Sequence, residues 1–210
     1  MAKEYPEFVF FHTGKDRSWP NVLIKSIKAS NPYALIIEVT GSMDQIMASR
    51  LKAFSDLRLE RPAIYLDTDM EVLAPINPVT MLSDTKKKAL FCRRTFNQNA
   101  AFNTLFRGMN FSEYANKTLG EVYPYLACAT VAADWRVWDE LHMYLKQMDP
   151  KYLEWYGDQE AIKKYVKNNT NTVGFIDEYM YGCLPEYSYL YSPKIVHYKG
   201  NRKHAYSVQK

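Results

Sequence analysis

No two cysteines in this chain stand at redox or metal-binding spacing: Cys92, Cys128 and Cys183 form no CxxC, are odd in number, and each lies among apolar neighbours. Reduced thiols in a cytosol-like compartment are expected, not a secreted disulfide framework. No apolar run approaches the roughly 18 residues that a membrane span requires. The charged opening Met1-Ala2-Lys3-Glu4-Tyr5-Pro6-Glu7 leads into an apolar run of only four residues, so no targeting segment is read there. The expectation is a soluble, cytoplasmic chain. A large excess of one charge sign is missing as well: 27 basic against 23 acidic residues leave +4, most of it in the tail from Lys194 to Lys210. A nucleic-acid binder shows basic stripes over a whole face, whereas a short basic tail can serve a single diphosphate. Glycine-rich phosphate loops are lacking too. The first turn, His12-Thr13-Gly14-Lys15-Asp16, has one glycine and no GxGxxG, and no Walker A sequence occurs.

What is abundant is tyrosine. Seventeen are present, crowded between Tyr179 and Tyr198, and their flat rings with a polar edge suit either sugar or base stacking or ordinary packing. The length of 210 residues is enough for one domain with a full core, 1–210, and no linker or repeat divides it. Glu7 to Gly14 reads as a short strand stopped by glycine. A helix follows, with Ser18 as N-cap, Pro20 in the first turn, and Val22, Leu23 and Ile27 at helical spacing up to Asn31-Pro32. Tyr33 to Thr40 reads as a second strand, and Ser42 to Leu57 as an amphipathic helix with Ile46, Leu51 and Phe54 inward. Strand, helix, strand, helix, strand at short intervals predicts an α/β fold, a mainly parallel central sheet with helices on both faces.

The third strand carries the functional signal. Ala63-Ile64-Tyr65-Leu66 is followed at once by Asp67-Thr68-Asp69, two carboxylates at i and i+2 where the sheet stops. Hard divalent cations take such oxygens and keep positions open for substrate phosphates, so a metal-bridged diphosphate is one reading and a capped turn the other. Open sheets bind ligands at the carboxyl ends of their strands, where Thr13-Gly14 and Asp67-Thr68-Asp69 both fall. Lys86 to Arg94 suggests a further strand, 97–114 is polar, aromatic and loop-rich, and Tyr125 to Ala133 is a strand of small residues followed by a helix from Asp134 through Gln147. Gly157-Asp158-Gln159-Glu160 opens another helix running to about Val166.

Tyr65-Leu66-Asp67-Thr68-Asp69, then Gly157-Asp158-Gln159, then His197-Tyr198-Lys199-Gly200-Asn201-Arg202-Lys203 stand in an order that resembles the GT-A glycosyltransferases. The resemblance is strongest to family 8, with its glycogenin and galactosyltransferase members. It runs from Val9 to Lys203 and includes Arg50, in the helix before the DxD strand. It implies a GT-A type single domain in which Asp67, Asp69 and the histidine of HxxGxxK, His197, hold Mn²⁺, with Mg²⁺ as the alternative. Imidazole beside carboxylates suits Mn²⁺ better than Mg²⁺. Gly200 would bring backbone near the phosphates, Lys203 would add a point charge there, and Thr68 would lie between the two ligands. Thr13 and Arg50 would hold uracil and ribose, and Asp158 and Gln159 would line the reactive face of the sugar.

The implied reaction moves a hexose or deoxyhexose from a UDP-sugar, UDP-glucose or UDP-galactose, to a hydroxyl of a glycan or glycoprotein acceptor, with retention. An inverting enzyme would need a carboxylate base, for which Asp158, Asp177 or Glu178 could serve. Many members of that family carry an Asn-Ser-Gly type turn where this chain has Ala127-Cys128-Ala129-Thr130, which removes polar groups from the donor sugar. The chain is short for the family, as a compact virus-encoded enzyme or an excised catalytic domain would be; a viral origin would place it in the host cytoplasm. A sugar-phosphate nucleotidyltransferase shares the sheet but would want a glycine-rich basic loop after the first strand. A non-enzymatic carbohydrate-binding module would leave Asp67 and Asp69 without a role and would bind without metal. The stretch Tyr179 to Tyr191 is the candidate acceptor wall.

Overall fold

Residues 5–204 are described by the structure, a computed structural model. The opening before Tyr5 and the last part of the basic tail, 205–210, lie outside the described residues. The first half of the chain alternates β1 (Glu7–Phe11), α1 (Ser18–Ser30), β2 (Leu35–Val39), α2 (Ile46–Asp56) and β3 (Ala63–Leu66). A turn at Thr68-Asp69 leads into β4 (Met70–Val72), then α3 (Pro78–Thr85), β5 (Ala89–Arg93), the two-residue strands β6 (Leu105–Phe106) and β7 (Met109–Asn110), α4 (Leu119–Val122) and β8 (Tyr125–Ala132). The remainder comprises α5 (Arg136–Leu145), α6 (Lys151–Glu154), α7 (Gly157–Asn168), β9 (Val173–Asp177), α8 (Glu178–Tyr181), α9 (Ser188–Tyr191) and β10 (Ile195–His197).

Six strands form one sheet in the order β2-β1-β3-β8-β5-β9. Only β8 runs against its neighbours, β3 and β5, and the other pairs are parallel, so the expected mainly parallel sheet is present. Every residue of β1 and β3 is buried, as strands covered on both faces require. Period-two alternation divides β1 between two cores: Val9 and Phe11 face one layer, Phe8 and Phe10 the other. In the first layer α2, α5 and α7 pack on the sheet around Phe54, Tyr65 and Trp138, whose ring centroids lie 4.4 to 4.9 Å apart. In the second, Leu23 and Ile27 of α1 and Leu82 of α3 cover Ile64 and Leu66. A separate antiparallel pair, β4 with β10, sets His197 opposite Met70.

Two helices start later than the sequence pattern predicts and a third starts one residue earlier, each where a polar side chain makes a local hydrogen bond ahead of the helix. The Ser42 hydroxyl accepts from Asp44 N and Gln45 has positive φ, which delays α2 to Ile46. Asp134 accepts from Arg136 N ahead of α5, and Asp16 accepts from Ser18 N, so Ser18 is the first residue of α1 and not its cap. The loop-rich segment 97–114 is held by rings: Phe102, Phe111 and Tyr114 pack with Tyr123 and Tyr156.

Candidate active site

Asp67 leaves the sheet immediately after the buried Leu66, and its amide stays anchored to the Cys128 carbonyl at 2.9 Å. The turn then returns Asp69 into the protein, where it is 9% exposed. β4 extends from that turn, and its ladder with β10 carries His197 to the same place: His197 Nε2 lies 3.3 Å from Asp69 Oδ1 and 3.8 Å from Asp67 Oδ2. The three ligand atoms fall within 4.8 Å of one another. Two donors on one octahedral ion at about 2.1 Å stand roughly 3 Å apart, so this spacing suits a divalent cation with little rearrangement. Two carboxylates and an imidazole are also a donor set in which all three atoms can point at one ion.

The electrostatics hold this cluster together when no cation is bound. Burial alone would raise the Asp69 carboxyl, but His197 and Lys203, whose Nζ is 2.9 Å from Oδ2, pull it well below its usual range. Burial likewise opposes charge on His197, yet Asp69 pushes its pKa up to about 10. Arg50 joins this centre to the next element: its guanidinium donates to Asp67 Oδ1 at 2.7 Å and pairs with Asp158. Asp158 is the second residue of α7 and is 5% exposed, and its other oxygen accepts from Gln159 N at 2.7 Å. Gly157 lets the start of α7 pass close to α6 and the end of α5, since a Cβ there would overlap the Tyr152 carbonyl and Leu145 Cδ1.

Two cavities meet at this cluster. One, about 420 Å³, is lined by Thr13, Trp19, Thr68, Asp69 and Lys203. The other, about 470 Å³, is lined by Asp158, Gln159, His197 and Gly200. Arg50, Asp67, Met47 and Trp155 line both, so the acidic cluster sits where the two join. The structure therefore brings together all ten residues singled out in the sequence. Arg50 differs from expectation in its contacts, because two carboxylates take up its guanidinium. Of the three carboxylates considered as a base, Asp158 alone lines either cavity. Asp177 caps α8, and fully buried Glu178 accepts from Thr95 N and Phe96 N and pairs with Lys199. Three cations of the basic tail are paired as well, Lys199 with Glu178, Arg202 with Glu186 and Lys203 with Asp69. Sequence reasoning missed Arg94, Trp155 and Tyr156 as cavity residues. Position beside Gly157-Asp158-Gln159 was the available signal for the last two; Arg94 had none.

No family model and no curated protein matches the chain. Solved structures do. A glycosyltransferase involved in the glycosylation of the major capsid of PBCV-1 matches with a TM-score of 0.63 and 13% identity, over 96% of this chain and 98% of that one. The fold is that of the GT-A glycosyltransferases. LgtC, a galactosyltransferase solved with donor and acceptor sugar analogs, matches at 0.55 and 16% identity over 93% of this chain and 87% of its own. The apo glycosyltransferase GlyE of Streptococcus pneumoniae TIGR4 matches at 0.58 and 14%, over 94% of this chain, which spans 55% of GlyE. In this GT-A fold the DxD turn after β3, the start of α7 and the end of β10 border the two adjoining cavities.

Proposed function

We propose that the chain is a metal-dependent glycosyltransferase that moves a hexose or deoxyhexose from a UDP-sugar, UDP-glucose or UDP-galactose, to a hydroxyl of a glycan or glycoprotein. The observation that carries this reading is the convergence of Asp67, Asp69 and His197 at the junction of two cavities in a GT-A fold. The donor's nucleotide belongs to the cavity bearing Thr13 and Trp19, and its sugar to the cavity bearing Asp158 and Gln159. Asp67, Asp69 and His197 would hold Mn²⁺, or Mg²⁺, which when bound supplies positive charge against the departing diphosphate. Lys203 adds a second positive charge on the diphosphate side, and Gly200, at a positive φ of 65°, lines the sugar cavity and not the cavity of Asp69 and Lys203.

Retention is the stereochemistry this site favours. An inverting reaction needs a free carboxylate base, and Asp158 is spent on Arg50 and on Gln159 N. The Gln159 side-chain oxygen is buried without a hydrogen-bond partner among the described residues, an acceptor available to a sugar hydroxyl or to the reactive face. The PBCV-1 neighbour acts in capsid glycosylation and covers nearly the same length. The location proposed is the cytoplasm, the host cytoplasm if viral, on the reading of Cys92, Cys128 and Cys183 as reduced thiols.

The test titrates UDP with and without Mn²⁺ and then incubates the chain with a panel of UDP-sugars, following free UDP without any acceptor. Mn²⁺-dependent binding, lost by at least tenfold in Asp69→Ala, is the expected result. UDP binding indifferent to chelator and to Asp69→Ala overturns the reading, and an inverted product anomer, read by NMR, overturns retention.

A further inference from the structure

The cavity assigned to the sugar contains one cation with no carboxylate paired to it among the described residues. Arg94 follows β5 and lines this cavity together with Gln159. Its Nε donates to the Tyr123 carbonyl at 2.8 Å, and among the described residues no carboxylate pairs with its guanidinium. Every other cation lining the cavity is spent: Arg50 on Asp67 and Asp158, His197 on Asp69, Lys199 on Glu178, Arg202 on Glu186. Glu178 is near enough to favour charge on Arg94, but its oxygens already serve two backbone amides and Lys199. Burial pushes the Arg94 pKa down, so the protein bears a cost for keeping this cation where it is. An arginine does not relieve that cost by losing its proton. An anion in the cavity would.

We infer that Arg94 recognises the carboxylate of a uronic acid, so that one of the two sugars handled here is anionic. The inference rests on the assignment of this cavity to sugar. The competing partner is the diphosphate, since Asp67 and His197 line the cavity of Arg94 while Asp69 and Lys203 line the other; it predicts equal use of neutral and anionic sugars. With Nε given to the Tyr123 carbonyl, the guanidinium keeps its Nη1/Nη2 edge, which matches one planar carboxylate; a phosphate group carries more charge and is normally met by several donors. Phe106, Trp155 and Tyr156 line the same cavity with flat rings, and the unpartnered Gln159 oxygen accepts a hydroxyl, so the rest of the lining suits a pyranose ring. Leu126, Ala127 and Cys128 make one wall of this cavity apolar.

The carboxylate can belong to the donor or to the acceptor, and two arms separate them. With Mn²⁺ present, the full chain is given UDP-glucuronic and UDP-galacturonic acid against UDP-glucose and UDP-galactose; separately, neutral donors are offered uronate-terminated against neutral disaccharides. We expect a preference of about 10- to 100-fold for the uronate in one arm, the range of a charge-assisted bidentate contact. That preference should fall below about threefold in Arg94→Gln and be partly kept in Arg94→Lys, both checked for folding by thermal melting. Equal use of neutral and anionic sugars in both arms overturns the inference, as does a preference that Arg94→Gln leaves intact. Free glucuronate against glucose, observed by saturation-transfer NMR on the unsubstituted and Arg94→Lys chains, gives a reading independent of UDP. If UDP fails to bind, the glycosyltransferase reading falls, and the NMR decides alone: glucuronate signal that weakens in Arg94→Lys sustains the uronate site, and none overturns it.

Discussion

Asp69 and His197 hold each other's charge, and that has a sign that pH will expose. His197 is raised from its ordinary 6.5 to about 10, so the stability it adds is complete below about 6.5 and is lost as pH rises through about 10. Asp69 is lowered from 3.8, so its contribution is complete above that value and is lost as pH falls. In chelator, thermal stability from this pair should be greatest between about pH 4 and 6.5 and decline toward pH 10, a decline that His197→Ala removes. Mn²⁺ affinity should move the other way, rising with pH as the imidazole proton is released on binding. Calorimetry in two buffers of different ionisation enthalpy counts that proton; release of none would mean that His197 is not a ligand. The residue types at 67, 69 and 197 were legible from the DxD and HxxGxxK spacing. Arg94 was not, because an unpaired guanidinium is defined by the partners it lacks, and partners are a property of the folded state.

At the scale of elements, the site depends on where α7 starts. Tyr156 stands at positive φ just before it, and Gly157 permits the close pass beneath the Tyr152 carbonyl that aims Asp158 at Arg50. Gly157→Ala should shift this turn and cost transfer activity about tenfold or more, while Mn²⁺ binding at Asp67, Asp69 and His197 changes much less. Activity measured beside Mn²⁺ titration tests it; equal loss of both would place the damage in the fold as a whole. The helix itself was readable from Gly157-Asp158-Gln159-Glu160. The short β4 and β10 ladder was less so: three residues give no usable period, and the pairing of Met70 with His197 spans the chain. Helices of ten or more residues with an apolar stripe were found, and the eight-residue α3 was missed; first turns were misjudged where Ser42, Asp16 and Asp134 formed local hydrogen bonds instead.

For the whole molecule, two apolar layers fix the sheet that carries these ends. Phe54, Tyr65 and Trp138 meet edge-on or tilted at the centre of one layer, linking α2, β3 and α5. Phe54→Ala should cost about 3–5 kcal/mol of unfolding free energy, measured by urea denaturation with Trp138 among the fluorescent reporters. A loss under about 1 kcal/mol would mean the layer collapses around the gap and does not define the position of α2 or of Arg50 upon it.

The alternation of strand and helix along the first 66 residues settled the α/β class, because burial of apolar faces is written in local periodicity. Residue chemistry likewise marked the DxD turn as a candidate for metal. Only the tertiary structure decided that His197, 128 positions after Asp69 in sequence, lies 3.3 Å from it. It also decided that Arg50 ties Asp67 to Asp158 and that Arg94 lines a cavity with no carboxylate paired to it among the described residues. Those are long-range contacts, set by packing across layers and by the reversed strand β8, and no local pattern encodes them.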